Sequence, residues 1–149
     1  MKRKITIFIS LFLTFICTAF CLFACGESEG KVKASVVESS ETLLVIRIDE
    51  TDGQATLLDA MKYLQAEEKI TFESQTSAYG EMLKSINGKA NGVNDNPCWL
   101  SYTTDTDEAF SNTAFGYEYK GEILGSCNFG VSSMTVKKDC LYVWVYQSF

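Results

Sequence analysis

Residues 42–67 read TLLVIRIDETDGQATLLDAMKYLQAE, and two different periodicities meet inside that stretch. Leu44, Ile46 and Ile48 alternate with Val45, Arg47 and Asp49, the pattern of a strand with one buried face, so residues 42–50 are predicted to be the first strand. Thr51-Asp52-Gly53 is a turn signal. Thr56, followed three residues later by Asp59, is close to a capping box, and Leu57, Ala60, Met61 and Leu64 fall at helical spacing over residues 56–67. A strand that turns directly into an amphipathic helix places the helix face on a sheet.

Working outward from this pair, the remainder of the chain is strand-like. Residues 70–75 alternate, residues 79–86 read as a third strand ended by Asn87-Gly88, and residues 87–97 are an Asn-Gly-rich loop. Residues 98–103 and 116–124 each read as one strand, and residues 134–136 pair with 141–146 as a final hairpin around Lys137-Lys138-Asp139. The run Leu141 to Tyr146 is apolar on both faces, as a central or doubly covered strand requires. One early helix and many short strands give an α+β class: a mixed or antiparallel sheet with the helix packed on it. Residues 42–149 are of a length for one core.

The leader is of another kind. Met1-Lys2-Arg3-Lys4 is basic, residues 5–24 hold no charge, and Ala24-Cys25 ends the run, which is the layout of an export signal over residues 1–24. Leu22-Phe23-Ala24-Cys25 resembles the bacterial lipobox, which implies that Cys25 is lipidated and becomes the first mature residue, Phe23 being larger than the pattern's usual choice. Two or more acyl chains give durable anchoring where one does not. An uncleaved signal anchor is the alternative, and both place the rest of the protein on the extracytoplasmic face of the cell membrane. Cys17 and Cys21 read as small apolar fillers of the run. Residues 26–41, rich in Ser, Glu and Lys, are predicted to be a flexible tether. Ser28 and Lys31 match a Ser-x-x-Lys spacing there by chance, with no pocket around them.

Beyond the leader ten Lys or Arg face nineteen Asp or Glu, a formal balance of −9 that disfavours nucleic acid as a partner. The chain has no histidine, which removes Ser-His and Cys-His nucleophile pairs, His zinc ligands and His axial ligands. Cys98, Cys127 and Cys140 match no zinc or iron–sulfur spacing, so they are read as one disulfide between two of the three or as three buried thiols. Asp105, Asp107 and Glu108, near Asn112, form an oxygen-rich cluster, and Asn94, Asp95 and Asn96 a second. Both lack the register of a calcium loop and read as solvated acidic loops, with Asp105, Asp107 and Glu108 as weak metal candidates.

The residues ATLLDAMKYL, YGEMLKSINGKAN, the strand opening with Trp99 and Tyr102, and VKKDCLYVWVY together resemble the transcobalamin-like C-terminal domain of small bacterial lipoproteins, over nearly all of residues 42–149. The resemblance implies a β-grasp-like fold with strands wrapping one helix. Where the family commonly has an Asn-Gly turn after the Trp strand and a Gly-Asp turn in the last hairpin, this chain has Thr104-Asp105-Thr106-Asp107 and Lys138-Asp139-Cys140, with an added aromatic-rich segment over residues 110–128. It also implies a lipid-anchored binding or accessory module that presents a corrinoid or similar flat cofactor to a transporter or other cell-surface protein. The larger half that closes over the corrin in vertebrate carriers is absent. A protein- or glycan-interaction domain, or a metal-binding lipoprotein, is the alternative. No constellation supports an enzyme. Trp99, Tyr102 and Trp144, with Tyr142 and Tyr146, read either as an aromatic platform for ring stacking or as core, while Phe110, Phe115 and Tyr117 are candidate ligand contacts on loops.

Overall fold

The computed structural model describes residues 30–148. The predicted export signal of residues 1–24 and the predicted lipidation residue Cys25 lie outside the described residues. Described strand β1 (Val32–Ser39) runs antiparallel to β2 (Leu43–Thr51), from Val32↔Thr51 to Ser39↔Leu44. This corrects the predicted tether, of which residues 32–39 are strand. Composition averaged over residues 26–41 hid a period of two: Val32, Ala34 and Val36 pack on the core, and Lys33 faces solvent and pairs with Glu50 at 2.8 Å. An edge strand needs only one apolar face.

Helix α1 (Leu57–Ala66) begins as predicted. The Thr56 hydroxyl accepts from the Asp59 N–H at 3.2 Å, and the Asp59 carboxylate accepts from the Thr56 N–H at 2.8 Å, completing the capping box. Leu57, Ala60, Met61 and Leu64 are buried. The residues predicted to form one arm of a final hairpin, 134–136, instead serve the start of this helix. The otherwise unpaired first-turn N–H of Leu57 donates to the Met134 carbonyl (2.8 Å), and the Val136 N–H donates to Ala55 (2.9 Å). Burying Met134 and Val136 beneath α1 removes more apolar surface from water than a short exposed hairpin arm would.

The remaining strands are β3 (Phe72–Ser77), β4 (Gly80–Ile86), β5 (Lys89–Ala90), β6 (Cys98–Thr103), β7 (Ser111–Tyr119), β8 (Glu122–Cys127) and β9 (Leu141–Gln147). They make a six-stranded sheet in the order β1-β2-β9-β6-β8-β7 and a three-stranded sheet β3-β4-β5, antiparallel at every described pairing. With one α-helix among the described residues, this is the α+β class. The predicted single strand at 116–124 is two strands. Lys120 (φ 51°) and Gly121 (φ 87°) both take the left-handed conformation that a tight two-residue hairpin requires, between paired Tyr119 and Glu122.

Alternation along β2 and β9 divides the interior in two. On the helix side Leu44, Ile46, Ile48, Tyr142, Trp144 and Trp99 pack with α1. On the other face Val45, Val143 and Val145 pack with Tyr102, Tyr119 and Leu124. The β7–β8 hairpin curls over that second face until its end meets β1. There the Glu38 carboxylate accepts from the Tyr119 hydroxyl at 2.8 Å and pairs with Lys120 at 3.2 Å. β9 is therefore covered on both sides, as its sequence predicts.

Candidate functional site

The predicted aromatic platform is divided between the interior and a joint. Tyr142 and Trp144 are fully buried, and burial holds the Tyr142 hydroxyl well above the usual tyrosine range. Trp99 and Tyr146 are in contact, with ring centroids 5.3 Å apart. Their polar ends fasten the small sheet to the large one: the Trp99 indole N–H donates to the Lys89 carbonyl (2.8 Å) and the Tyr146 hydroxyl to the Ala90 carbonyl (2.9 Å). The Trp99 backbone N–H donates to the Asn91 side chain at 3.1 Å. Phe110 packs at the margin of the helix-side core.

The remaining candidates converge elsewhere. β6 pairs with β9 along its whole length but with β8 only at Tyr102↔Ser126 and Thr103↔Gly125. Where β8 departs, a groove of about 450 Å³ opens between β6, the β3–β4 turn and residues 126–130. Trp99, Tyr102, Phe129, Tyr79, Met82 and Phe115 are among the residues that line it. Tyr117 does not line the groove but stacks on Tyr102 behind it, centroids 5.2 Å apart. Among the described residues, four of the seven exposed large hydrophobics, Tyr79, Met82, Phe115 and Phe129, belong to this one groove. A clustered exposed apolar patch marks a binding surface more than scattered ones do.

Phe115 reaches the rim because of a bulge. The β7–β8 register jumps from Asn112↔Ser126 to Tyr117↔Leu124, so residues 113–116 oppose Gly125 alone. The bulge is pinned at its start: the Asn112 side chain accepts from the Ala114 N–H (2.9 Å), and the Asn112 carbonyl accepts from the Ser126 hydroxyl (3.3 Å). At its end Gly116 lies so close to β8 that a Cβ would come within 2.8 Å of the Leu124 carbonyl oxygen. Phe115 is left 74% exposed.

Among the described residues no charged side chain lines the groove. Its polar side chains already have partners: Ser126 bonds Asn112, Asn128 donates to the Glu108 and Ala109 carbonyls (3.1 and 3.3 Å), and Tyr102 accepts from Gln147 (2.8 Å). Burial pushes the Cys127 thiol up to about 12, against the opposing effect of a hydrogen bond with Ser101, so at neutral pH it is a neutral thiol. A larger cavity of about 770 Å³, between α1 and the start of β1, has a rim of charged side chains such as Lys33, Glu50 and Asp52, with Lys33 and Glu50 already paired.

The cysteines and acidic clusters serve structure. Cys98, Cys127 and Cys140 are free thiols, so the disulfide alternative is replaced by the free-thiol one, and burial raises all three. Asp105 is buried and pairs with Lys137 at 2.8 Å. The same ammonium meets Asp107 at 3.1 Å and so stands where a cation would. The backbone of Glu108 is held by Asn128. In the second cluster Asp95 pairs with Lys84 at 2.8 Å and accepts from Asn91. Among the described residues no group of three or more His, Cys, Asp or Glu side chains is arranged to hold a metal ion.

Sequence reasoning reached Trp99, Tyr102 and Phe115 but missed Tyr79, Met82 and Phe129. A signal was present: Tyr79-Gly80, Phe115-Gly116 and Phe129-Gly130 are aromatic–glycine pairs, and all three aromatics line the groove. Gly130 sits against the β3–β4 turn, where a Cβ would fall 2.5 Å from the Glu81 carbonyl oxygen, and its N–H donates to the Tyr79 carbonyl at 2.7 Å. No family model, curated protein or solved structure matches this chain. Among the described residues no helix is long and apolar enough to cross a membrane.

Proposed function

We propose that this protein is a lipid-anchored, extracytoplasmic binding module, built on a β-grasp-like domain of the transcobalamin-like C-terminal kind, whose ligand seats in the groove between β6 and β8. The observation that carries the reading is the convergence of Tyr79, Met82, Phe115 and Phe129, all exposed, on one concave neutral surface. Leaving such side chains in water forgoes burial worth about 1.5–3 kcal/mol for each one fully covered. A volume of about 450 Å³ lies in the range of small-molecule sites. The lone helix against a curled sheet supports the β-grasp-like assignment, and the leader supports the anchor at Cys25.

Binding is favoured over catalysis because the groove offers no acid–base pair and its one thiol is held neutral. The resemblance supplies the corrinoid, of which a groove this size grips only an edge. Titrating the protein with cobalamin, followed by visible absorbance and tryptophan fluorescence, tests that ligand. Binding lost on Phe115→Ala supports it, and no change at high micromolar cobalamin removes it. Mass spectrometry of the native protein for a diacylglyceryl group on Cys25 tests the anchor. A second reading, a contact surface for a transporter, another cell-surface protein or a glycan, is favoured by the strong exposure of Phe115 and Tyr79 on the rim. Pull-down from envelope extracts, compared with Phe115→Ala, tests it.

A further inference from the structure

Within the binding-module reading, we infer that the natural ligand is a free small molecule with a flat, uncharged, polycyclic apolar ring system, gripped edge-on by the three aromatic–glycine pairs. Three observations narrow the class. The lining carries no charge in a protein whose surface is acidic, so an ionised ligand gains no partner and loses its hydration. The side chains of Ser126 and Asn128 already donate to backbone carbonyls, and the Tyr102 oxygen already accepts from Gln147. A sugar, or the amide fringe of a corrin, needs directional partners and would find few. What the groove does offer is aromatic lining, from Trp99, Tyr102, Phe129, Tyr79 and Phe115, with the adaptable thioether of Met82.

The backbone supports this use. Each of the three ring-bearing segments is tied to the scaffold directly beside its aromatic residue. Gly130 donates to the Tyr79 carbonyl, the Glu81 N–H donates to the Ser132 hydroxyl (2.8 Å), and the Phe115 bulge is pinned through Asn112 and Gly116. The rings are thus held apart at fixed places around an open volume, and a rigid flat body loses little entropy on entering it.

The experiment uses the chain from residue 26 onward, which contains every described residue of both clusters. Nile red, neutral and flat, is titrated by its fluorescence; anilinonaphthalene sulfonate and maltohexaose are the charged and polar comparators. The expected result is saturable one-to-one binding of Nile red, at least tenfold weaker in Phe115→Ala and in Phe129→Ala, with both comparators at least tenfold weaker than Nile red on the unaltered chain. Preferential binding of either comparator, lost in the same variants, overturns the ligand class while leaving the groove as the site. Nile red binding that neither variant weakens, or no binding of any probe, overturns the groove as well. Sedimentation showing a dimer that Phe115→Ala dissolves would assign the groove to a second copy of the chain and overturn the inference.

Discussion

Replacing Trp99 by phenylalanine tests the joint that holds the two sheets together. The substitution deletes the indole N–H and leaves the Lys89 carbonyl, now bonded at 2.8 Å, without that donor. The acceptor is only partly buried, so losing its donor costs about 1 kcal/mol, the low end of the range for buried groups. The smaller ring also leaves roughly 40 Å³ unfilled beside Tyr146, about 1 kcal/mol at the usual cavity coefficient. The sum is about 2 kcal/mol, a fall in Tm of roughly 8 °C for a domain of this size. Trp144, 1% exposed in the core, then becomes the sole tryptophan and reports urea unfolding without interference. The same change should weaken ligand binding, because Met82 and Tyr79 belong to the sheet and turn that the indole fastens. A stability change under about 0.5 kcal/mol, the range of an ordinary surface substitution, with ligand affinity intact would refute the assignment of Trp99 as the joint.

Four further outcomes follow from the structure. Thr56→Ala removes the hydroxyl that accepts from the Asp59 N–H, leaving the backbone half of the capping box in place, and should cost about 1 kcal/mol in urea denaturation. A chain beginning at Thr42 lacks β1 and uncovers the apolar faces of β2 and α1, so it should give an unfolded far-ultraviolet spectrum, whereas one beginning at residue 26 should not. With no histidine, the urea midpoint should be flat between pH 5 and 8; a clear maximum or step there would contradict the structure. Tyr119 and Lys120 lower Glu38, the amides of Lys31 and Gln54 lower Asp52, Lys84 lowers Asp95, and the Ala109 amide, with Lys137, lowers Asp107. Their stabilisation is complete above the unfolded carboxylate range of about 4 and is lost as pH falls through the lowered folded values, while Cys127, raised by burial, takes stability away as pH climbs above about 8.5 towards 12. Thiol labelling of the native chain from residue 26 at neutral pH should be much slower at Cys127 than in the unfolded chain, where all three thiols appear; native labelling of Cys127 at the unfolded rate would contradict its raised thiol.

Local rules carried the reading furthest where the signal is short-range. The β2 alternation, the Thr56–Asp59 cap and the two-faced β9 each depend on neighbours a few residues apart, and each is found where the sequence places it. The failures are contacts the chain makes at a distance. Val32, Ala34 and Val36 are too sparse to announce a strand until β2 offers an edge, and Met134 and Val136 pair with residues near 56, not with their near neighbours. Lys120-Gly121 carries less turn information than Asn-Gly, so one hairpin read as one strand. For the site, the aromatic composition after residue 97 showed which residue types bind but not which are inside. Trp144 and Phe115 are both strand aromatics, and only the curl of the sheet separates a buried ring from one standing in water.

The bulge that carries Phe115 also shapes how this protein can change over generations. Residues 113–116 are fastened at both ends and contribute little to either core, so the ring at 115 can be exchanged for another side chain without shifting the strands on either side. Divergent descendants of this chain should therefore keep Asn112, Gly116 and Gly125 while varying most at position 115, acquiring new ligands on an unaltered scaffold.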